Sequence, residues 1–233
     1  MKRENTNLIR FLLEEIVPPI IRDSFIFKII IKKLYRKDKT HENLKTNILN
    51  ISESEYENYY KSMPKMHNET DLSNICVNEI LKNISPGKII DVGCGDGFLL
   101  KKIRDKYNDS ILYGTEIAIS SQLEKTSIQK EIKIIKKKVE DIHEIETKFD
   151  TVICSHVLEH ILDINLAYEN LKKLCKKKLI IIVPRERAYK YTFNGHLHFF
   201  PYDWSFINTI RPKNKFEIKD LKRDLFYIEE LKD

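Results

Sequence analysis

The stretch IIDVGCGDGFLL, residues 89–100, gathers three of the chain's six glycines into five positions. Glycine takes positive φ without strain and lets another group come against bare backbone. An apolar run ending in an acid stands before these glycines, and an amphipathic helical pattern follows them. Strand, glycine turn and helix in that order form the first unit of an open α/β sheet, whose ligands sit beyond the carboxyl ends of the strands. No other feature narrows the fold as far.

The sequence beyond Lys88 continues the theme. Apolar runs at 88–92, 110–117, 132–135, 149–155 and 178–184 alternate with helical patterns at 97–107, 118–128 and 162–176. Continuous apolar strands separated by helices indicate a parallel sheet covered on both faces. The tail differs: FEIKDLKRD and LFYIEELK are strand-like with no helix between them, which predicts an antiparallel hairpin on the sheet's edge.

The first 86 residues hold no glycine. Leu8, Leu12 and Ile16 have helical spacing that stops at Pro18-Pro19. Ile21, Phe25, Ile29 and Lys33 mark a second helical line to about Arg36, followed by a polar linker or weakly held helix over 37–50 and a tyrosine-rich stretch. A firmer helix follows, with Asp71 placed to cap it, Leu72, Ile75, Cys76, Ile80 and Ile84 on one face, and SPG at 85–87 ending it. The chain thus divides into an N-terminal helical extension, 1–69, and a main domain, 70–233.

With 42% hydrophobic residues the chain can build a core. Its net charge of +6 comes from scattered lysines, and Lys136–Lys138 and Lys176–Lys178 read as solvated ends of elements, so a nucleic-acid partner is not expected. Cys76, Cys94, Cys154 and Cys175 form no CxxC pair, which predicts neither a disulfide framework nor a zinc finger and suits a cytoplasmic setting. No secretory h-region stands near the start. SFIFKIIIKKLY, from Ser24, is too short and too interrupted by Lys28, Lys32 and Lys33 to cross a bilayer. It fits a helix packed on the main domain or a second subunit, and its cations around an apolar face also fit peripheral membrane contact. The oligomeric state stays open.

Spacing within the loop discriminates among ligands. A dinucleotide fingerprint would need glycine where Phe98 stands, and the lysine of a P-loop is missing. Asp91 and Asp96 would repel a pyrophosphate and suit a ligand with positive charge and no phosphates. Asp91-Val-Gly93-Cys-Gly95-Asp-Gly97 resembles the first motif of the class I S-adenosylmethionine-dependent methyltransferases, and the resemblance covers roughly 70–233. It implies a Rossmann-like, seven-stranded, mostly parallel sheet of order 3-2-1-4-5-7-6 with helices on both faces, and S-adenosyl-L-methionine as cofactor. It further implies that Asp91 attracts the cofactor's ammonium while Gly93, Cys94, Gly95 and Gly97 approach its carboxylate and sugar. Glu116, followed by Ile117, would accept from the ribose hydroxyls. Glu140 or Asp141 would meet the adenine amino group, with Val139 or Ile142 against the ring. Ser155 and His156 would line the methionine end.

HVLEH, residues 156–160, also matches H-x-x-E-H, in which two histidines on a helix bind zinc. No third ligand of suitable spacing is evident, and in the resembled family such a stretch closes the fourth strand, so no metal is expected. His156 is the pocket residue of choice, with Glu159 and His160 capping or packing the next element.

After the fifth strand comes VPRERAYKYTFNGHLHFFPYDW, rich in aromatics. Its P-x-E … G-H-L-x-F-F resembles a subgroup of bacterial methyltransferases, some associated with cell-surface glycan synthesis, and in the family this segment covers the acceptor. Methyl transfer is an in-line displacement, and an alcohol acceptor gains from a base that removes its proton. His196 and His198 are the candidates, His196 preferred because it follows Gly195. Alternate residues of an extended segment point to opposite sides, so at most one faces the site. Tyr59 or Tyr60 could reach in from the N-terminal region. The expected activity is O-methylation of a small molecule or glycan. The alternatives are an RNA or protein methyltransferase, although the N/D-P-P-[YFW] signature is absent, and a non-catalytic partner subunit.

Overall fold

The structure, a computed structural model, describes residues 11–35, 50–52, 54, 55, 58, 70–188, 190 and 195–231, with backbone alone for 31–35. The expectations for Leu8, for 37–49, for Tyr59 and for Tyr60 lie outside the described residues. Seven strands form one sheet: β1 Lys88–Val92, β2 Ile111–Glu116, β3 Ile132–Lys136, β4 Phe149–Ser155, β5 Cys175–Pro184, β6 Phe216–Asp220 and β7 Asp224–Glu230. Their order is β3-β2-β1-β4-β5-β7-β6, as expected. The first five are parallel, and the β6–β7 hairpin adds antiparallel through β7.

Alternation along each strand divides the apolar runs between two cores. Ile90, Val92, Val152, Cys154, Leu179, Ile181 and Val183 point to the side covered by α6, Ile164–Leu174, and α7, Asp203–Ile210. Ile89, Ile153, Ile180 and Ile182 point to the other side, toward α3, Asn74–Asn83, α4, Phe98–Lys106, and Leu123 of α5, Ser121–Lys130. Burial on both faces is why these strands carry no polar alternation. Register sets the site: Asp91 lies level with Gly114 on one side and Ile153 on the other, so β1, β2 and β4 end together.

Three local expectations change. Ser73, not Asp71, caps α3, because its hydroxyl accepts the Cys76 N–H at 3.2 Å. Val77 takes the buried position expected for Ile75, which is 42% exposed. Strand β5 begins at Cys175, directly after α6, with a bulge in its pairing between Phe149 and Thr151. The chain passes from helix to strand without a turn, so the strand starts three residues before the apolar run at 178–184.

The N-terminal residues form a π-helical turn, Leu12–Ile16, and two helices, α1 Pro19–Arg22 and α2 Phe25–Tyr35. The break at Asp23–Ser24 takes Ile21 off the line of Phe25 and Ile29, and Ser24 Oγ accepts the Phe27 N–H at 3.2 Å. Their polar side faces inward. Glu14, 6% exposed, accepts from Arg223 Nη1 at 3.2 Å and the Arg187 N–H at 3.4 Å, and Asp23 accepts the Lys190 N–H at 2.8 Å. The apolar side faces outward, with Ile20 85%, Phe25 70% and Ile26 70% exposed. Among the described residues no helix is long and apolar enough to cross a membrane.

Candidate functional site

The loop between β1 and α4 is built on left-handed glycines. Gly93 has φ +75°, and a Cβ there would stand 2.3 Å from Val157 Cγ2. Gly95 has φ +54° with nothing within 4 Å of the place a Cβ would occupy, so its backbone lies open to a ligand. The Gly93 and Cys94 N–H groups both donate to the Thr115 carbonyl at 2.9 Å, which ties the loop to the end of β2.

Two acids close this end. Asp91 is 1% exposed, and its Oδ1 has no hydrogen-bond partner among the described residues. Burial, with the charge of Glu116 adding to it, pushes its carboxyl up to about 7. Glu116 accepts the Gly95 N–H at Oε2, 2.9 Å, and the Ile117 N–H at Oε1, 2.8 Å. Burial raises its pKa while those amides oppose the rise. A cleft runs past Gly93, Glu116, Ile117, Val139, Val157 and His160.

The far end of the cleft is made by HVLEH and the segment after β5. His156 takes φ +54° immediately after β4, and Leu158–His160 form a short 3₁₀ turn. His156 and His160 therefore do not share a helical face, and the zinc-protease reading loses its geometry. His156 stands between two buried acids, Nδ1 3.4 Å from Glu159 Oε1 and Nε2 3.5 Å from Asp224 Oδ1. The Leu197 and His198 N–H groups donate to the Glu159 carbonyl at 2.7 and 3.1 Å, stitching 195–200 onto the turn. His160 donates from Nδ1 to the Gly195 carbonyl at 3.2 Å, and its ring meets His196 edge-on, centroids 4.7 Å apart. The carboxylate of Glu186, 4% exposed, holds His196 at Nδ1. His198 donates from Nε2 to the Ile161 carbonyl at 2.8 Å and stacks on Phe200. Burial first, then the neighbouring His196, brings His160 down to about 4, so it is neutral at physiological pH. Burial pushes Glu159 up, but the contact with His156 and the fields of His160, His156 and His196 outweigh it and bring the carboxyl down to about 2.

A sheet of this order with a bare glycine loop and acids at neighbouring strand ends fits one family, and a family model described as a methyltransferase domain matches residues 70–214. The chain belongs to the class I S-adenosylmethionine-dependent methyltransferases. No curated protein matches it in sequence. Among solved structures this methyltransferase resembles an O-methyltransferase family protein from Burkholderia thailandensis, at 12% identity over 92% of this chain and 71% of that one, TM-score 0.59. It also resembles PigF with SAH, at 11% over 91% and 72%, TM-score 0.57. The PH0226 protein from Pyrococcus horikoshii OT3 is a third, at 14% over 75% and 99%, TM-score 0.56. At such identities the likeness is one of fold. The chain spans 49%, 71% and 54% of the length of three of the structures it matches.

The cofactor of the methyltransferase is S-adenosylmethionine, and the residues present fit it. The orphaned Oδ1 of Asp91 suits an ammonium, and the uncovered backbone at Gly95 admits a ligand without collision. Of the residues expected to hold it, Gly93, Glu116 and Ile117 line the cleft, and Gly95 is bonded to Glu116. Gly97 caps α4 from a left-handed φ of +78°. Cys94 turns under the loop into the core, where its Sγ lies 2.7 Å from a Cβ built on Gly114. Of the two residues considered for the adenine ring, Val139 lines the cleft and Ile142 is buried in the core. Glu140 and Asp141 follow Val139, half-buried, with the Glu140 carbonyl accepting from Asn170 Nδ2 at 2.7 Å and Asp141 starting the 3₁₀ turn Ile142–Glu144. Ser155 ends β4 level with Ile182, and His156 is turned toward Glu159 and Asp224, while His160 is the histidine on the cleft wall. Two cleft-lining residues have other parts in the sequence reading, His160 as a capping or packing residue and Lys137 as the solvated end of an element. Val157 and Glu186 are not singled out there, and of these only Glu186 leaves a signal, as the acid of P-x-E.

Proposed function

We propose that this methyltransferase O-methylates a small molecule or glycan, with the acceptor hydroxyl held at the His160–His196 end of the cleft. One observation carries the reading: His160 shares a wall with Glu116 and also packs against His196, so the acceptor-activating histidine adjoins the cofactor's place. Bound S-adenosylmethionine supplies an electrophilic methyl group on a sulfonium. Asp91 receives the ammonium, Glu116 the ribose hydroxyls, and Glu140 or Asp141 the adenine amino group. Val139 and Val157 exclude water along the cleft. Glu186 orients His196, whose other ring nitrogen meets the acceptor hydroxyl. His198, committed to the Ile161 carbonyl, holds the covering segment in place.

The test offers labelled S-adenosylmethionine with a panel of sugar nucleotides, monosaccharides and phenols beside tRNA and bulk protein. Label on a small hydroxylated acceptor supports the reading, and label confined to RNA or protein overturns it. With that acceptor, His196→Ala should lower turnover by roughly 10²–10⁴-fold and leave cofactor affinity, measured by calorimetry, within about twofold. Wild-type turnover in the variant would remove His196 from the chemistry.

For the outward apolar side of the N-terminal helices the proposed partner is an acidic lipid surface. Ile20, Phe25 and Ile26 are exposed, and the sequence from Pro19 to Lys37 carries six basic residues against one acid. Co-sedimentation with anionic but not neutral vesicles is the expected result, and self-association through this face without vesicle binding would exclude it. The four cysteines, all buried thiols, support a cytoplasmic setting.

A further inference from the structure

We propose that Glu159, His160 and His196 form a site for one divalent first-row transition-metal ion of the zinc class, at the acceptor end of the cleft. Their ligand atoms lie within 4.8 Å of one another. Glu159 and His160 come from the 3₁₀ turn, and His196 is brought to them by the backbone bonds from Leu197 and His198 to the Glu159 carbonyl. No spacing in the sequence announces this trio, because its third member lies on a separate segment.

Three features point to a cation. Glu159 is fully buried, yet neither carboxylate oxygen accepts a well-formed hydrogen bond from the described residues; His156 stands 3.4 Å from one oxygen. A buried carboxylate whose oxygens lack hydrogen-bond donors has lone pairs available to a cation. Both imidazoles are oriented through Nδ1, His160 by the Gly195 carbonyl and His196 by the Glu186 carboxylate. Metal-bound histidines are held from behind in this manner, by a carbonyl or carboxylate on the nitrogen that does not bind the ion. Two imidazoles and one carboxylate are also the donor set of open zinc sites, whereas magnesium and calcium prefer oxygen throughout. An ion at about 2.0–2.2 Å from each donor asks for an inward shift of under about 1 Å per ligand.

Three protein ligands leave a coordination position for the acceptor, and this part rests on the proposed function. Coordination lowers the pKa of a bound hydroxyl. The hydroxyl proton then passes to water, and the acceptor oxygen forms its bond to the methyl carbon as the carbon–sulfur bond breaks and leaves its electron pair on sulfur. His196 serves as a ligand in this arrangement, and the ion takes over the activation that His196 alone would otherwise supply.

The test strips the full-length protein with chelator and titrates it with Zn²⁺ by calorimetry and with Co²⁺ by visible absorption. Expected are one ion per chain and ligand-field bands for Co²⁺. His196→Ala and Glu159→Gln should each weaken Zn²⁺ binding by at least about 100-fold, while Glu186→Gln, which keeps all three donors, should weaken it by about 10–100-fold. Thermal melts of the metal-free variants identify any that fail to fold, and Glu186→Gln then carries the test. Absence of a bound ion, a featureless Co²⁺ spectrum, or wild-type affinity in His196→Ala would overturn the site. Cofactor calorimetry on the same samples keeps the questions apart: cofactor binding without metal refutes the ion alone, and metal binding without cofactor refutes the functional reading alone.

Discussion

At the proposed cofactor end of the cleft, Asp91, Gly93 and Glu116 stand at the tips of adjacent strands and are placed by sheet register. At the proposed acceptor end, Glu159, His160 and His196 come from two irregular segments, and the bonds joining them run between His160 or Glu159 and residues some 35 positions away. The first end rests on backbone hydrogen bonds that any apolar strand sequence would make. The second depends on a few specific contacts: the Gly195 carbonyl, the Glu186 carboxylate and the Glu159 carbonyl. Damage should therefore spread differently from the two ends, through cofactor affinity and folding from one and through turnover from the other.

The strongest way to break the comparison is at Gly93. A methyl group there adds left-handed strain of about 1–2 kcal/mol and overlap with Val157 of about 1–3 kcal/mol. Gly93→Ala should weaken cofactor binding by more than about 100-fold and lower the melting temperature. A variant that binds like wild type would show that the loop has slack the structure denies it.

Next comes pH. The folded Asp91 carboxyl titrates near 7, far above its ordinary 3.8. Between those values the folded chain keeps a proton that the unfolded chain has lost, so without cofactor this group's contribution to stability declines as pH rises across the window. A cationic ligand needs the ionised form. Affinity should fall by up to about tenfold per unit as pH drops below 7, with proton release on binding at neutral pH, and Asp91→Asn should flatten the profile. A flat wild-type profile would place the ammonium elsewhere.

The smallest effect sharpens the acceptor end. His198→Ala loses one hydrogen bond to the Ile161 carbonyl and should cost about 1 kcal/mol of stability, with turnover within about threefold of wild type. Loss of turnover as large as that expected for His196→Ala would exchange the two roles.

Legibility in the sequence follows the same division. The strand at 88–92 and the strand at 149–155 match the structure residue for residue, because a strand buried on both faces is apolar at most positions without polar alternation. The edge hairpin was readable because no helix separates its strands. Helix termini were less so: Ser73 and Asp71 are both plausible caps, and only the bond to Cys76 distinguishes them. Glu159 and His160 looked like packing residues, since one charged or polar side chain in a helical pattern carries no record of what will be folded against it.

The amino-acid sequence alone determined the doubly covered sheet, its glycine loop and the acids at its strand tips, because these follow from local periodicity and from residues adjacent in the chain. Tertiary structure decided which histidine reaches the cleft, that Glu186 stands behind His196, and that a buried carboxylate meets two imidazoles. Those facts depend on how two distant irregular segments pack, and side-chain convergence of that kind has no period to read.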